Sequence, residues 1–335
     1  MRRLAAFSIL AFAAVSVVAL ASVSWIKAEV DRPGPHRDPV RILLQSGAVL
    51  EQIAEQLAEA GALRHPMIFR ITARFERVAR HLKAGEYEVE GRASQRDILD
   101  MLVAGRTYVR RLTIPEGLSV HEIVALLSTA DGLTGTISDL PPEGRLLPDT
   151  YHYAFGDTRG SLVTRMRQKM DQFLAKAWPS RRSGLPVKSP EQTLVLASIV
   201  EKETARADER PRVAAVFLNR LRKGMRLQSD PTVIYGITLG ERPLGRRLTR
   251  KDVETPSEFN TYAIAGLPPH PIANPGRAAI EAVLNPLAST ELYFVADGKG
   301  GHAFAETLAA HNKNVARWRR LRKKAVGLGR KATSP

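Results

Sequence analysis

Hydrophobic and polar positions divide the chain into three regimes. From Leu4 to Ile26 no charge interrupts an apolar run of 23 residues, which as a helix extends about 34 Å and is long enough for a bilayer core. Arg2 and Arg3 precede it, and the preference of basic flanks for the cytoplasm places everything after Lys27 on the far side of the membrane. Ala19-Leu20-Ala21 also fits a signal-cleavage pattern. The run nevertheless continues to Ile26, well past the roughly 7–15 apolar residues of a cleavable signal, which favours a retained anchor. Both readings export the body of the protein.

Residues 28–39, with Pro33, Gly34, Pro35 and Pro39 among charges, read as an extended linker. The second regime is a series of short alternating or periodic segments. It predicts a strand over Val40–Leu44, helices over Leu50–Ala60 and Met67–Arg77, a strand over Gly85–Val89 and a helix over Ser94–Ala104 that closes at Gly105. Ser94 stands three residues before Asp97, a capping pair, and Ile98, Met101 and Leu102 give that helix an apolar face. Together these elements form a small α+β unit.

A larger region follows. Tyr108–Ile114 alternates as a strand, Pro115-Glu116-Gly117 turns, and Val120–Ser128 is helical. Ser189-Pro190-Glu191-Gln192 opens a helix with a capping box and a proline in its first turn. Leu194–Val200 is then apolar on every side, the pattern of a helix buried all round. Glu201 ends the run on the stripe of Leu194, Ala197 and Ser198, while Glu203 falls on roughly the opposite side and reads as solvated or ion-paired. A further helix covers Pro211–Lys223 with Gly224 after its end, and Arg226–Tyr235 reads as a strand interrupted by Ser229-Asp230-Pro231. The fold class is therefore α+β.

Composition narrows the chemistry. The 335 residues contain no cysteine, which removes disulfides, thiolate nucleophiles and cysteine-ligated metal. Fifty Lys and Arg against 34 Asp and Glu leave a net charge of +16, so an anionic partner is expected. Beyond Glu306 there are nine cations, Lys313, Arg317, Arg319, Arg320, Arg322, Lys323, Lys324, Arg330 and Lys331, and no acid. In an exported chain that charge argues for wall polymer or anionic lipid and against nucleic acid. No histidine pair has the spacing of a metal site, and neither a glycine-rich phosphate loop nor a G-x-S-x-G elbow occurs, so no metal or cofactor is expected.

Glu201 is the most informative titratable residue at this level. A carboxyl on the stripe of a buried helix loses hydration, and the helix C-terminus disfavours negative charge, so the protonated form is favoured. A neutral acid near pH 7 is what protonates a leaving glycosidic oxygen. The alternative is an ion pair with a basic neighbour at the rim of the core. Downstream, Asn219, Gln228-Ser229-Asp230, Thr232, Tyr235, Asn260-Thr261-Tyr262 and Asn274 supply amides, hydroxyls and phenols suited to sugar hydroxyl and N-acetyl groups. The same residue types also cap turns through their own backbone.

Several strings resemble the YceG-like endolytic murein transglycosylases (MltG). They are Leu146-Leu147-Pro148-Asp149-Thr150-Tyr151, Ala197-Ser198-Ile199-Val200-Glu201-Lys202-Glu203-Thr204, Val216-Phe217-Leu218-Asn219-Arg220-Leu221 and Gly224 through Gly236. Asn260-Thr261-Tyr262, Gly266-Leu267-Pro268-Pro269, Ile272 through Gly276, Tyr293 through Gly298, Gly300 through Phe304 and His311-Asn312 continue the series.

The resemblance implies a single-pass inner-membrane protein with its C-terminal bulk in the periplasm. It divides the chain into a cytoplasmic stub and anchor (1–27), a linker (28–39), a LysM-like subdomain (40–106), a catalytic domain (107–320) and a basic tail (321–335). The implied activity cleaves the β-1,4 bond between N-acetylmuramic acid and N-acetylglucosamine inside glycan strands, leaving 1,6-anhydro ends. Peptidoglycan strands, membrane lipid around the first helix and peptidoglycan synthases are the implied partners. The resemblance places the catalytic Glu on the first Glu of Val-Glu-Lys-Glu-Thr, Glu201. Asp230 is a candidate second carboxylate, and Gln228 and Asn260 are candidates to hold the N-acetyl group. Leu147, Ser257-Glu258-Phe259 and His270 depart from the family pattern, which has Phe, Ser-Pro-Tyr and Gly there. The rival function is a non-catalytic wall-binding module.

Overall fold

The computed structural model describes residues 2–332, with side chains over 10–323. Met1 of the expected stub and residues 333–335 of the expected tail lie outside the described residues, as do the side chains of Lys324, Arg330 and Lys331. The chain is a mixed α+β structure that divides into two units, one running to Arg110 with His152–Asp157 added, the other holding Arg111–Tyr151 and the chain from Thr158 onward.

The first unit opens with α1 (Arg2–Val30). Its segment Leu10–Val30 is long and apolar enough to cross a membrane, and its side chains are not covered by protein. The helix runs past the expected end at Ile26, and its last turn turns inward, with Glu29 and Val30 buried. Strand β1 (Val40–Leu44) pairs antiparallel with β2 (Gly85–Val89), in register from Val40↔Val89 to Leu44↔Gly85. Helices α2 (Leu50–Glu59), α3 (Pro66–Phe75) and α4 (Gln95–Ala104) complete a core of Leu44, Leu57, Phe69, Tyr87, Ile98 and Leu102.

Caps set the ends of these helices. Ser94 Oγ accepts the Asp97 N–H, and the Asp97 carboxylate accepts the Ser94 N–H at 2.9 Å, the reciprocal pair read from the sequence. Gly105 closes α4 at φ +72°, a conformation that a Cβ would strain. Helix α3 stops before the expected Arg77, which takes a left-handed φ of +59° instead. Within 28–39 the backbone is hydrogen-bonded: the Gly34 N–H donates to the Arg92 carbonyl at 3.1 Å, and the Arg92 N–H to the His36 carbonyl at 2.8 Å.

In the second unit, β3 (Arg110–Thr113) leads in from the boundary and is followed by α5 (Val120–Thr129) and β4 (Thr150–Tyr153). Then come α6 (Arg159–Ala177), α7 (Pro190–Glu203), α8 (Arg210–Arg222), α9 (Asp230–Thr238) and α10 (Arg250–Glu254). Helix α11 (Arg277–Leu284), the antiparallel hairpin of β5 (Tyr293–Ala296) and β6 (His302–Ala305), and α12 (Leu308–Ala332) complete it.

Helix α7 is the axis of this unit. Every residue from Thr193 to Val200 is buried, because α8, α9 and α11 pack around it. At its start Ser189 Oγ accepts the Gln192 N–H, while Gln192 Oε1 accepts from Lys188 rather than from Ser189, so the expected box closes one residue early. The unpredicted α6 buries Leu162, Met166, Met170 and Leu174 at helical spacing below a Thr158 cap.

One element is corrected in kind. Arg226–Tyr235 is not an interrupted strand: Asp230 begins α9, with Ser229 extended at the N-cap and Pro231 in the first turn. Proline fits that turn because the first helical N–H groups need no intrahelical partner. Burial of Val233 and Tyr235 on one side then overrides the strand preference of Val-Ile-Tyr.

Candidate active site

The last turn of α7 carries two carboxylates, and about 100° per residue sends them to nearly opposite faces. Each is met by different structure. Ser229 Oγ donates to Glu203 at 2.6 Å. The serine is held in turn by its own N–H on Thr261 Oγ1 at 2.9 Å, and the Gln228 N–H donates to the Thr261 carbonyl at 3.1 Å. Thr232 and Thr261 share a hydroxyl hydrogen bond at 2.8 Å beneath this loop.

From α8, the buried Arg220 donates to the carbonyls of Leu227 (2.9 Å) and Arg226 (3.2 Å) and to Gln228 Oε1 (3.2 Å), and its Nε donates to Leu292 at 2.6 Å. That guanidinium fixes the loop whose Gln228 takes a positive φ of +55°. Tyr262 donates its phenol to Asp230 at 2.7 Å. Glu203, Arg220, Gln228, Asp230, Tyr262 and Phe294 line one cleft of about 430 Å³.

Burial raises the Glu203 pKa, and the charge of Asp230 pushes the same way; the Ser229 hydrogen bond, His302 and Arg220 oppose the rise. The expectation of a solvated or ion-paired Glu203 is thereby overturned. Its face of α7 is covered by the N-terminus of α9, which the sequence read as a strand.

Glu201 sits elsewhere. Its carboxyl, 6% exposed, accepts the Gly276 N–H at 2.9 Å and lies 3.4 Å from Arg210, which also reaches Glu116 at 3.5 Å. Burial raises its pKa most; Glu116 adds to the rise, while the Gly276 N–H, Arg210 and Lys202 oppose it. This is the rim ion pair that the sequence left open as the alternative, and Glu201 is not among the residues lining the Glu203 cleft.

The structure thus separates the candidate residues. Gln228, Ser229, Asp230 and Tyr262 gather at Glu203, with Thr232 and Thr261 as the buried support of Ser229. Asn219 spends its amide N–H groups on the carbonyls of Ser289 and Glu291. Asn260 spends its own on Val253 and Thr255. Asn274 is fully enclosed, accepting from Leu146 and donating to Leu118 and Glu143. These three asparagines are braces of the fold. Tyr235 reaches Glu143 at 3.4 Å and packs edge-on against Phe259 and His270.

Sequence reasoning missed Arg220, although an arginine in the apolar Val216–Leu221 segment was a signal for a buried, satisfied cation. It also missed Glu209, which accepts the backbone N–H of His302 and contacts its ring at 2.7 Å. Sequence distance hides that pair.

Residues 42–317 match the YceG-like family. An endolytic murein transglycosylase of Streptococcus pneumoniae is 30% identical over 326 residues, covering 83% of this chain and 58% of its own length. One from Bacillus subtilis is 29% identical, covering 82% of this chain and 83% of its own. The chain therefore spans little more than half of the pneumococcal relative. The crystal structure of a YceG-like protein from Listeria monocytogenes superposes with a TM-score of 0.51 at 30% identity, over 83% of this chain and 99% of that one.

Proposed function

This chain belongs to the YceG-like family, and on that premise we propose that it is a membrane-anchored lytic transglycosylase of peptidoglycan, with Glu203 as its acid. The reading rests above all on one observation, the buried Glu203 carboxyl in a cleft among Gln228, Asp230 and Tyr262. The names of the pneumococcal and Bacillus relatives point to the same substrate.

In the proposed step, protonated Glu203 gives its hydrogen to the oxygen leaving the muramoyl anomeric carbon as that bond breaks. The resulting carboxylate takes the proton of the muramoyl 6-hydroxyl while that oxygen bonds to the same carbon. Water is not consumed, a 1,6-anhydro end forms, and Glu203 returns to its starting state. The nucleophile belongs to the substrate, so a second protein carboxylate need not attack. Asp230, anchored by Tyr262, is placed in this proposal opposite the developing positive charge, and Gln228 takes the N-acetyl group.

This reassigns the acid from Glu201. The guanidinium and backbone N–H at Glu201 stabilise its anion, whereas the groups listening to Glu203 are a single hydroxyl and more distant cations. The apolar α1 is read as the anchor, with Arg2 and Arg3 inside and the body in the periplasm. Residues 40–106 are read as a LysM-like glycan-binding unit, 107–320 as the catalytic domain, and wall synthases as partners.

Digestion of purified glycan strands with mass detection tests the activity. Anhydro-ended internal fragments are expected. Intact strands would make the chain a wall-binding module, and reducing ends would make it a hydrolase.

A further inference from the structure

A separate cavity of about 650 Å³ lies in the second unit, lined among others by Phe173, Lys176, Arg210, Glu281, Leu284 and Asn285. None of these residues lines the Glu203 cleft. Arg210 is the informative wall residue. It is only 8% exposed, and while its Nη2 reaches Glu201 and Glu116, its Nε is buried with no hydrogen-bond partner. A buried guanidinium N–H left without an acceptor is costly, and native folds rarely leave one so.

The remaining walls limit what can supply that acceptor. Lys176 adds a second cation, Phe173 and Leu284 supply apolar surface, and Asn285 offers an amide. A planar guanidinium beside an ammonium matches a carboxylate. Glu281 sets an acid on the same wall, which disfavours a doubly charged phosphate.

We propose that this cavity is a second ligand site, which takes the C-terminal carboxylate of a short peptide with small side chains. Arg210 binds the carboxylate, Asn285 the preceding amide, and the methyl-sized side chain packs on Phe173 and Leu284. The carboxylate assignment stands without the proposed activity; only the identification of the peptide with a wall stem rests on it.

Calorimetric titration of the full chain in neutral phosphatidylcholine nanodiscs tests it. The probes are N-acetyl-alanyl-alanine in D,D and L,L forms, each as free acid and as C-terminal amide. Saturable binding of an acid, with its amide at least tenfold weaker, is expected; tighter D,D binding identifies a wall stem, tighter L,L binding another peptide. Arg210→Lys should weaken binding at least tenfold. Because Arg210 also braces Glu201, Ala278→Trp provides an independent block: Ala278 is an exposed wall residue, and filling the cavity from it should abolish binding while leaving the melting temperature and strand cleavage unchanged. The proposal is overturned if neither acid saturates, if the amides bind equally well, or if Ala278→Trp binds as the parent does. A parent chain that binds the acid but cuts no strands would sink the transglycosylase reading and leave this one standing.

Discussion

Ser229 Oγ donates to the carboxyl of Glu203 across 2.6 Å, joining the first residue before α9 to the last residue of α7. The bond ties the proposed acid to a loop that is itself clamped by Arg220 and Thr261. Positional freedom of the carboxyl is thereby restricted before any sugar arrives, which is the condition for efficient proton transfer.

Replacing the two glutamates separately discriminates between them. Glu203→Gln keeps the shape and removes the transferable proton, so turnover should fall by about 10²–10⁴-fold with folding intact. Glu201→Gln should instead lower the melting temperature, because Arg210 and the Gly276 N–H lose an anionic acceptor, and should retain turnover within about tenfold. Equal collapse in both, or collapse only in Glu201→Gln, restores Glu201 as the acid. Strand digestion and thermal melting read the two effects.

The rate should decline on the alkaline side as Glu203 loses its proton, at a pH above the ordinary 4.5 because burial and Asp230 raise its pKa. Removing the Asp230 charge takes away one of the raising influences. Asp230→Asn should therefore move the alkaline limb to lower pH, whatever it does to the maximal rate. A pH–rate profile whose limb stays put or moves upward contradicts the electrostatic role given to Asp230.

Stability should carry a separate pH signature from Glu143, whose pKa burial raises to about 7 despite hydrogen bonds from Val120, Gly144 and Tyr235. Between its ordinary value of 4.5 and about 7 the folded chain holds this proton more tightly than the unfolded one. The contribution to stability is thus complete below pH 4.5, shrinks as pH rises through the window, and is gone above about 7. Melting curves of Glu143→Gln and the parent should converge at pH 4.5 and separate in favour of the variant towards pH 8. Parallel curves across that range would remove Glu143 as the cause.

Gly91→Ala probes the packing of 34–37 against the first unit. A Cβ at Gly91 would stand 2.0 Å from the Arg37 carbonyl oxygen, a backbone atom that can retreat only by moving its segment. A loss of about 1–3 kcal/mol is expected in denaturant melts. No change would mean that residues 34–37 are as loosely held as a linker.

Much of the local structure was legible in the chain. The reciprocal pair of Ser94 and Asp97 and the glycine at 105 mark the ends of α4 because capping is satisfied within a few residues. The strands β1 and β2 follow from alternation, and the all-round burial of α7 from a run with no polar face. Arg226–Tyr235 was misread because Val, Ile and Tyr favour strands, while the proline that belongs to a helical first turn was taken as an interruption. The three asparagines looked like sugar ligands because residue type is visible and saturation is not; the carbonyls that occupy Asn219 lie 70 or more residues away.

The two glutamates mark where sequence stops and tertiary structure decides. Periodicity alone determined that α7 is buried, that it ends in two carboxylates on different faces, and that an exported body follows an apolar helix. It ranked Glu201 first by its continuity with the apolar stripe. A helix packed on all sides, however, has no solvent face to contrast with a core face, so the stripe carries no information about which acid meets substrate. That was settled by neighbours remote in the chain: Gly276 and Arg210 at Glu201, Ser229 and its supports at Glu203. Hydration and charge act through space, and only the folded chain brings those partners within a few ångströms.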